Sequence, residues 1–279
     1  MPAITAHELD LAFGSAPVLD RASFTLERGE RAALLGRNGA GKSSLLKLLA
    51  GEARPDSGEL RFEAGTPGVL VAQEPQLPTG QTVAAVLDEA LTRAHSGARR
   101  ATEILTPLGL NGDTPIGRLS GGGQRRLALA CALASAPDVL LLDEPTNHLD
   151  VAAIEWLEDY LRRYQGALLF VTHDRRFLTR LATRILELDR GALRSYAGDY
   201  ADFLRRRDER LQTEARHTAL FDKTLAQEEA WIRRGIEARR TRNEGRVRAL
   251  YALREQRAQR RTLQGNARMA HDTCEMSER

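Results

Sequence analysis

Eight residues, Gly36-Arg37-Asn38-Gly39-Ala40-Gly41-Lys42-Ser43, spell a G-x-x-x-x-G-K-S pattern suited to gripping a polyphosphate. The glycines let successive backbone N–H groups turn inward, where the N-terminus of a following helix adds partial positive charge. The Lys42 ammonium can reach β- and γ-phosphate oxygens, and the Ser43 hydroxyl can ligate Mg²⁺. Ser44, next along, extends the set of candidate phosphate contacts. A short apolar run, "RAALL", precedes the loop and a leucine pattern, "SLLKLLA", follows it. That is the strand–loop–helix context the motif requires.

A second chemical cluster lies in "PDVLLLDEPTNHLD". The run Val139 to Leu142 reads as a parallel strand buried on both faces, which delivers Asp143 and Glu144 to the carboxyl edge of the sheet. There Asp143 suits Mg²⁺ and Glu144 can polarise an attacking water. The plainer alternative is that both acids cap the following helix. His173 ends another apolar run, "ALLFVTHD", and Gln73 follows "GVLVA". Each can face the same edge, and each has an ordinary structural reading. Finally, Leu119-Ser120-Gly121-Gly122 precedes an amphipathic helix and forms a second anion cradle. The chain holds one phosphate loop, so this cradle has no phosphate of its own to serve.

These groups need a sheet whose strands end at one edge, and 279 residues suffice for one such domain plus an appendage. The charge is divided unevenly: residues 1–200 carry a net −3 and residues 201–279 a net +6. Between Trp231 and Arg261 eleven arginines face three glutamates. Clustered arginine attracts phosphate backbone, although a solvated helical face would also explain the charge. From Tyr200 to Arg240 there is no proline and one glycine, with Leu225, Ile232 and Ile236 at helical spacing. "TRNEG" at 241–245 interrupts the pattern, and Val247, Leu250 and Tyr251 resume it. The expectation is a helical hairpin whose first arm, about 40 residues, spans ~60 Å. The two cysteines, Cys131 and Cys274, sit in no metal-spaced motif, and Cys131 reads as a small core residue. No run approaches the roughly 20 apolar residues that cross a bilayer, and the N-terminus has no signal pattern, so a cytoplasmic protein is expected.

Taken together, the phosphate loop, Gln73, the LSGG segment, the strand ending in Asp143-Glu144, Asn147 to Asp150 and His173 resemble an ATP-binding-cassette ATPase. "DEPTNHLD" and the arginine-rich continuation resemble the ABC-F class in particular. The resemblance implies ATP and Mg²⁺ as ligands. It implies Ser43, Gln73 and Asp143 around the metal, Glu144 as general base, His173 sensing the γ-phosphate, and Ser120, Gly121 and Gly122 serving a nucleotide on an opposing cassette. It also implies that Phe13 stacks on adenine, a position where an aromatic could equally be core. The fold expected is an α/β P-loop NTPase cassette over residues 1–198, with a mostly parallel core sheet, an antiparallel part from the N-terminal segment and a small helical subdomain around 75–135. An antiparallel, coiled-coil-like helical hairpin linker follows over 199–279.

In the ABC-F class such a linker reaches ribosomal RNA and tRNA. The resemblance therefore makes the ribosome the expected partner, with Arg239, Arg240, Arg242, Arg246 and Arg248 as candidate nucleic-acid contacts. Branched DNA is the alternative partner, a transporter ATPase subunit is a further reading, and a fragment that binds ATP but barely hydrolyses it is another. Three features depart from the class. Gly123 occupies a signature position usually filled by a larger side chain. Some 45 residues separate Gln73 from the signature, leaving no room for an arm subdomain. The chain ends at Arg279, before a second cassette, so the opposing cassette must come from a head-to-tail copy or from a longer chain, the latter being favoured.

Overall fold

A computed structural model describes residues 2–13, 16–63, 65, 67–72, 75–78, 80–93, 101–235 and 244–259; the side chains of 13, 16, 93, 231–235, 244–247 and 256–259 lie outside that description. The chain divides into two compact units, Met1–Arg207 and Asp208–Arg279.

The first unit opens with β1 (Pro2–Phe13), β2 (Ala16–Glu27), β3 (Arg31–Gly36), α1 (Lys42–Leu49), β4 (Ser57–Phe62) and β5 (Val69–Val71). It continues with α2 (Val83–Arg93), α3 (Ala101–Leu105), a 3₁₀ turn at Ile116–Arg118, α4 (Gly121–Ser135) and β6 (Val139–Asp143). It closes with α5 (Val151–Arg162), β7 (Ala167–Val171), α6 (Arg175–Leu181), β8 (Arg184–Asp189) and β9 (Ala192–Ala197). A three-stranded antiparallel sheet has the order β2-β1-β4. A six-stranded sheet has the order β5-β6-β7-β3-β8-β9 and is parallel except for the β8–β9 hairpin. This is the mostly parallel α/β architecture that the phosphate loop and buried strand runs predict, with the antiparallel N-terminal part that the family resemblance implies.

Strand periodicity explains why the central strands read as unbroken apolar runs. Side chains alternate between faces, and here both faces are covered. Leu140 and Leu142 of β6, Leu168 and Phe170 of β7 and Ala33 of β3 enter one core, shared with α4, α5 and α6. Val139 and Leu141, Ala167, Leu169 and Val171, and Ala32 and Leu34 enter the other, shared with α1 and the antiparallel sheet. The alternation reaches β8, where Ile185 joins the first core and Leu186 and Leu188 the second. Glu187 falls on the first face and is buried there, its carboxylate accepting from the Tyr196 hydroxyl at 3.0 Å. Helices α2 and α3 pack on α4 through Leu87, Ile104, Leu105 and Leu127, forming the helical part beside the sheet.

Helix α7 (Tyr200–Gly235) starts within the first unit, where Phe203 is buried edge-on against Tyr196 with ring centroids 5.1 Å apart. The boundary between compact units therefore falls inside α7, after Arg207, whereas the sequence places a domain boundary ahead of the helix. The helix runs for 36 residues, about 54 Å. In the second unit it is followed by α8 (Glu244–Gln259). Leu225 and Leu250 are buried, and Arg254 pairs with Glu229 at 2.8 Å between the two helices. Tyr251, expected in the apolar seam, is instead 63% exposed, because Leu250 takes the inward position one residue earlier. Ile236 and the side chains of Ile232 and Val247 lie outside the described residues.

Candidate functional site

Strand β3 brings the phosphate loop to the sheet edge, and backbone geometry dictates its glycines. A Cβ on Gly36 would stand 2.6 Å from the Leu188 carbonyl oxygen, a backbone atom that cannot swing away. Gly39 (φ +76°) and Gly41 (φ +103°) are left-handed, the region that glycine enters without steric cost. Gly41 is the N-cap of α1 and offers no side-chain cap, which leaves first-turn N–H groups available to an anion. Lys42 Nζ donates to the carbonyls of Gly36 (3.0 Å) and Arg37 (3.1 Å), closing the loop on itself.

Gly41 is also packed: a Cβ there would lie 2.0 Å from Val18 Cγ1. Gly41→Ala should therefore combine a strained φ with a steric overlap, a loss of about 2–4 kcal/mol in stability. Urea unfolding monitored by circular dichroism checks this. Val18→Ala in the same chain should recover the steric part only.

The acids arrive from the neighbouring strands. Ser43 Oγ donates to Asp143 Oδ2 at 2.8 Å, joining the helix start to the end of β6. Glu144 follows with φ +53°, a left-handed conformation that costs a glutamate on the order of 1 kcal/mol and is held by its N–H donating to the Val171 carbonyl at 2.9 Å. Its carboxylate is buried, with Oε2 accepting from the His173 N–H at 3.2 Å. Oε1 is also buried, has no hydrogen-bond partner among the described residues, and lies 3.4 Å from His173 Nε2. The His173 ring itself is 69% exposed. Burial holds the Lys42 ammonium below the usual lysine range, and the nearby Glu144 and Asp143 carboxylates pull the other way.

These atoms form a charge ladder of ammonium, hydroxyl, carboxylate and second carboxylate across the ends of β3, β6 and β7. The Ser43–Asp143 pair supplies hard oxygen donors. Among the described residues no group of three or more His, Cys, Asp or Glu side chains could cage a metal. That donor set fits Mg²⁺, which keeps several waters and binds through one or two carboxylates plus substrate phosphates.

The other sequence-predicted residues are placed as follows. Ser120 caps α4, its Oγ accepting from the Gly123 N–H at 3.2 Å, while its own proton remains available to donate. Gly121 is exposed and Gly122 half-buried. Gly123 is buried, and a Cβ there would already sit 3.2 Å from Leu119. Phe13 ends β1, but its side chain lies outside the described residues, as do Gln73, Arg239, Arg240 and Arg242 and the side chain of Arg246. Arg248 is exposed on α8.

A cavity of about 990 Å³ adjoins Ser43 and Asp143 and is lined on one side by Ala128, Cys131 and Ala132 of α4. Cys131, expected in the core, packs against it but is only half-buried and forms part of this wall. The sequence gives no signal for Val18 and Leu188, which fix Gly41 and Gly36, because both lie far from the loop along the chain.

A doubly covered parallel sheet, a phosphate loop opening α1, and a serine-capped second cradle on a separate helix together define an ATP-binding cassette. Two family profiles, both described as ABC transporter, match residues 19–147 and 186–269. The chain belongs to the ATP-binding-cassette ATPases, in their ABC-F branch. It is 45% identical to the ATP-binding protein Uup of Haemophilus influenzae, across 96% of this chain and 47% of that protein. It is 42% identical to Uup of Escherichia coli, across 96% and 48%. It is 34% identical to the energy-dependent translational throttle protein EttA of Mycobacterium tuberculosis, across 87% and 50%. The chain thus spans about half the length of the curated relatives it matches. Among solved structures, the ATP-binding subunit of an ABC transporter shares the fold at TM-score 0.63 and 24% identity, covering 73% of this chain and 92% of that one. A dimeric cassette bound to ADP and Pi does so at TM-score 0.58 and 23% identity, covering 70% and 98%.

Proposed function

We propose that this chain binds Mg-ATP at Gly36–Ser44 and hydrolyses it when paired with a second cassette, and that nucleotide state governs engagement of its basic hairpin with the ribosome in the cytoplasm. The observation that carries the hydrolytic part is the buried Glu144 carboxylate, one residue after Asp143 of the Ser43–Asp143 pair, whose Oε1 has no hydrogen-bond partner among the described residues and lies 3.4 Å from His173 Nε2.

In this reading Lys42 and the loop N–H groups hold the β- and γ-phosphates. Ser43 and Asp143, with Gln73, would hold Mg²⁺, which supplies charge neutralisation at the phosphate oxygens. Glu144 accepts a proton from the attacking water as the bond to the leaving β-phosphate oxygen breaks, giving ADP and phosphate. His173, hydrogen-bonded to Glu144 through its backbone, steadies the γ-phosphate. Phe13 would stack on adenine. Ser120, Gly121 and Gly122 grip the γ-phosphate bound to the opposing cassette, whether a head-to-tail copy or the second half of a longer chain. Among the described residues no helix is long and apolar enough to cross a membrane.

The ribosome is supported by the name of one relative, a translational throttle, and by the arginines between Trp231 and Arg261. Ribosome co-sedimentation of the Glu144→Gln chain with a four-way DNA junction as competitor tests it. Mg-ATP should raise the ribosome-bound fraction several-fold, and the junction should leave it in place. Displacement by the junction would make branched DNA the target, and binding indifferent to nucleotide would contradict the proposal.

A further inference from the structure

We propose that Arg125 is a positioning residue: from the second turn of α4 it clamps His148, and so fixes the Asn147–Asp150 loop against the signature glycines of the same chain. This loop directly follows Glu144, whereas Ser120 to Gly122 face the nucleotide of the opposing cassette in the reading above. A rigid link between them joins one composite site to the next, and its kinetic consequence rests on that reading.

The observations are local and mutually supporting. Arg125 Nη1 is in hydrogen-bond contact with His148 Nε2. The imidazole lies over Gly122, where a Cβ would approach His148 Cβ to 3.3 Å, Cγ to 3.5 Å and Nδ1 to 3.8 Å. A methyl at Gly122 would thus require the His148 side chain to give by a few tenths of an ångström. His148 holds φ +66°, a left-handed non-glycine residue four positions after Glu144 at φ +53°. Such a backbone persists where its surroundings over-determine it. The surroundings are the Asn147 N–H on the Glu144 carbonyl (3.2 Å), the Leu149 N–H on the Thr146 carbonyl (3.3 Å), and the Asp150 cap on Ala153 (2.8 Å). Arg125 and Arg126 also wall a narrow cleft whose other side is Glu144, Pro145 and Asn147, so α4 lies directly along the catalytic loop.

Guanidinium has donors and no acceptor, so His148 Nε2 must present its lone pair. Its proton therefore resides on Nδ1, the tautomer being set by the bond that the other nitrogen makes. This gives the clamp a spectroscopic signature that a merely space-filling arginine would lack.

The test is long-range ¹H–¹⁵N NMR of the histidine rings in the full chain without nucleotide, with His148 assigned from the signal missing in His148→Asn. The expected result is the Nδ1–H form in the wild type, its loss in Arg125→Ala and its retention in Arg125→Lys, which still donates. In turnover assays Arg125→Ala should lose about tenfold in kcat with the dissociation constant for Mg-ATP unchanged, and Arg125→Lys should recover most of the rate. A His148 ring carrying its proton on Nε2 in the wild type, or Arg125→Ala turning over at the wild-type rate, would overturn the proposal. A wild-type chain with no turnover even when a second cassette is supplied would count against the ATPase reading alone, and the tautomer and its response to Arg125→Ala would then decide the clamp.

Discussion

Replacing Glu144 with glutamine should slow ATP turnover by about 100-fold or more while leaving Mg-ATP affinity within a few-fold of the wild type. The side chains are nearly isosteric. The amide oxygen can still accept the His173 N–H that now meets Oε2 at 3.2 Å, and the backbone bond to Val171 at 2.9 Å is untouched. What is lost is the capacity to take a proton from water, a contribution of roughly 10²–10⁴-fold for a well-placed general base. Phosphate release under steady-state conditions, paired with equilibrium nucleotide binding, separates the two effects. A parallel fall in affinity would assign Glu144 to binding and remove it from proton transfer.

Lys42→Ala should act on the other quantity. The ammonium is tethered to the Gly36 and Arg37 carbonyls at 3.0 and 3.1 Å, and burial depresses its pKa. A triphosphate offers it far stronger acceptors than two neutral carbonyls. Charge-assisted hydrogen bonds contribute about 1.5–3 kcal/mol each, so losing the group should weaken Mg-ATP binding by roughly 100-fold. The variant also frees two loop carbonyls, so a small loss of thermal stability without nucleotide is expected beside the larger loss of nucleotide-induced stabilisation. Isothermal titration with Mg-ATP reads the affinity directly, and an unchanged dissociation constant would show that the loop N–H groups alone hold the phosphates.

The parts of this molecule that are legible from residue order are those in which local composition and local structure agree. Gly36 to Ser43 is one: its glycines, lysine and serine leave few alternatives to a phosphate loop between a strand and a helix. The β6 and β7 runs are another, because burial on both faces removes polar residues from "VLLL" and "ALLFV". The two linker helices follow from the absence of proline and the helical spacing of Leu225, Ile232 and Ile236, resumed at Val247 and Leu250.

Other features depend on atoms far apart in the chain. Val18 closes on Gly41, and Leu188 on Gly36, through a fold that spacing does not reveal. Phe203 could have faced solvent or core at the same helical position, and its edge-on contact with Tyr196 draws the first turns of α7 into the cassette unit. Periodicity alone puts Tyr251 in the seam, and the burial of Leu250 one residue earlier turns it outward. The left-handed backbone at Glu144 has no sequence signal, since glutamate does not favour that region and tertiary contacts hold it there. The Arg125–His148 contact is of the same kind.

The central claim is that Lys42, the Ser43–Asp143 pair and Glu144 form a hydrolytic site completed by the signature of another cassette. The most direct measurement is phosphate release from Mg-ATP by the full chain over a wide range of protein concentration, for wild type and Glu144→Gln side by side. The account predicts specific activity that rises with chain concentration where copies pair and each lends Ser120 to Gly122 to the other, or with an added second cassette where they do not, and that collapses in Glu144→Gln under every condition. Activity that stays constant per chain on dilution, or that survives in Glu144→Gln, would contradict it.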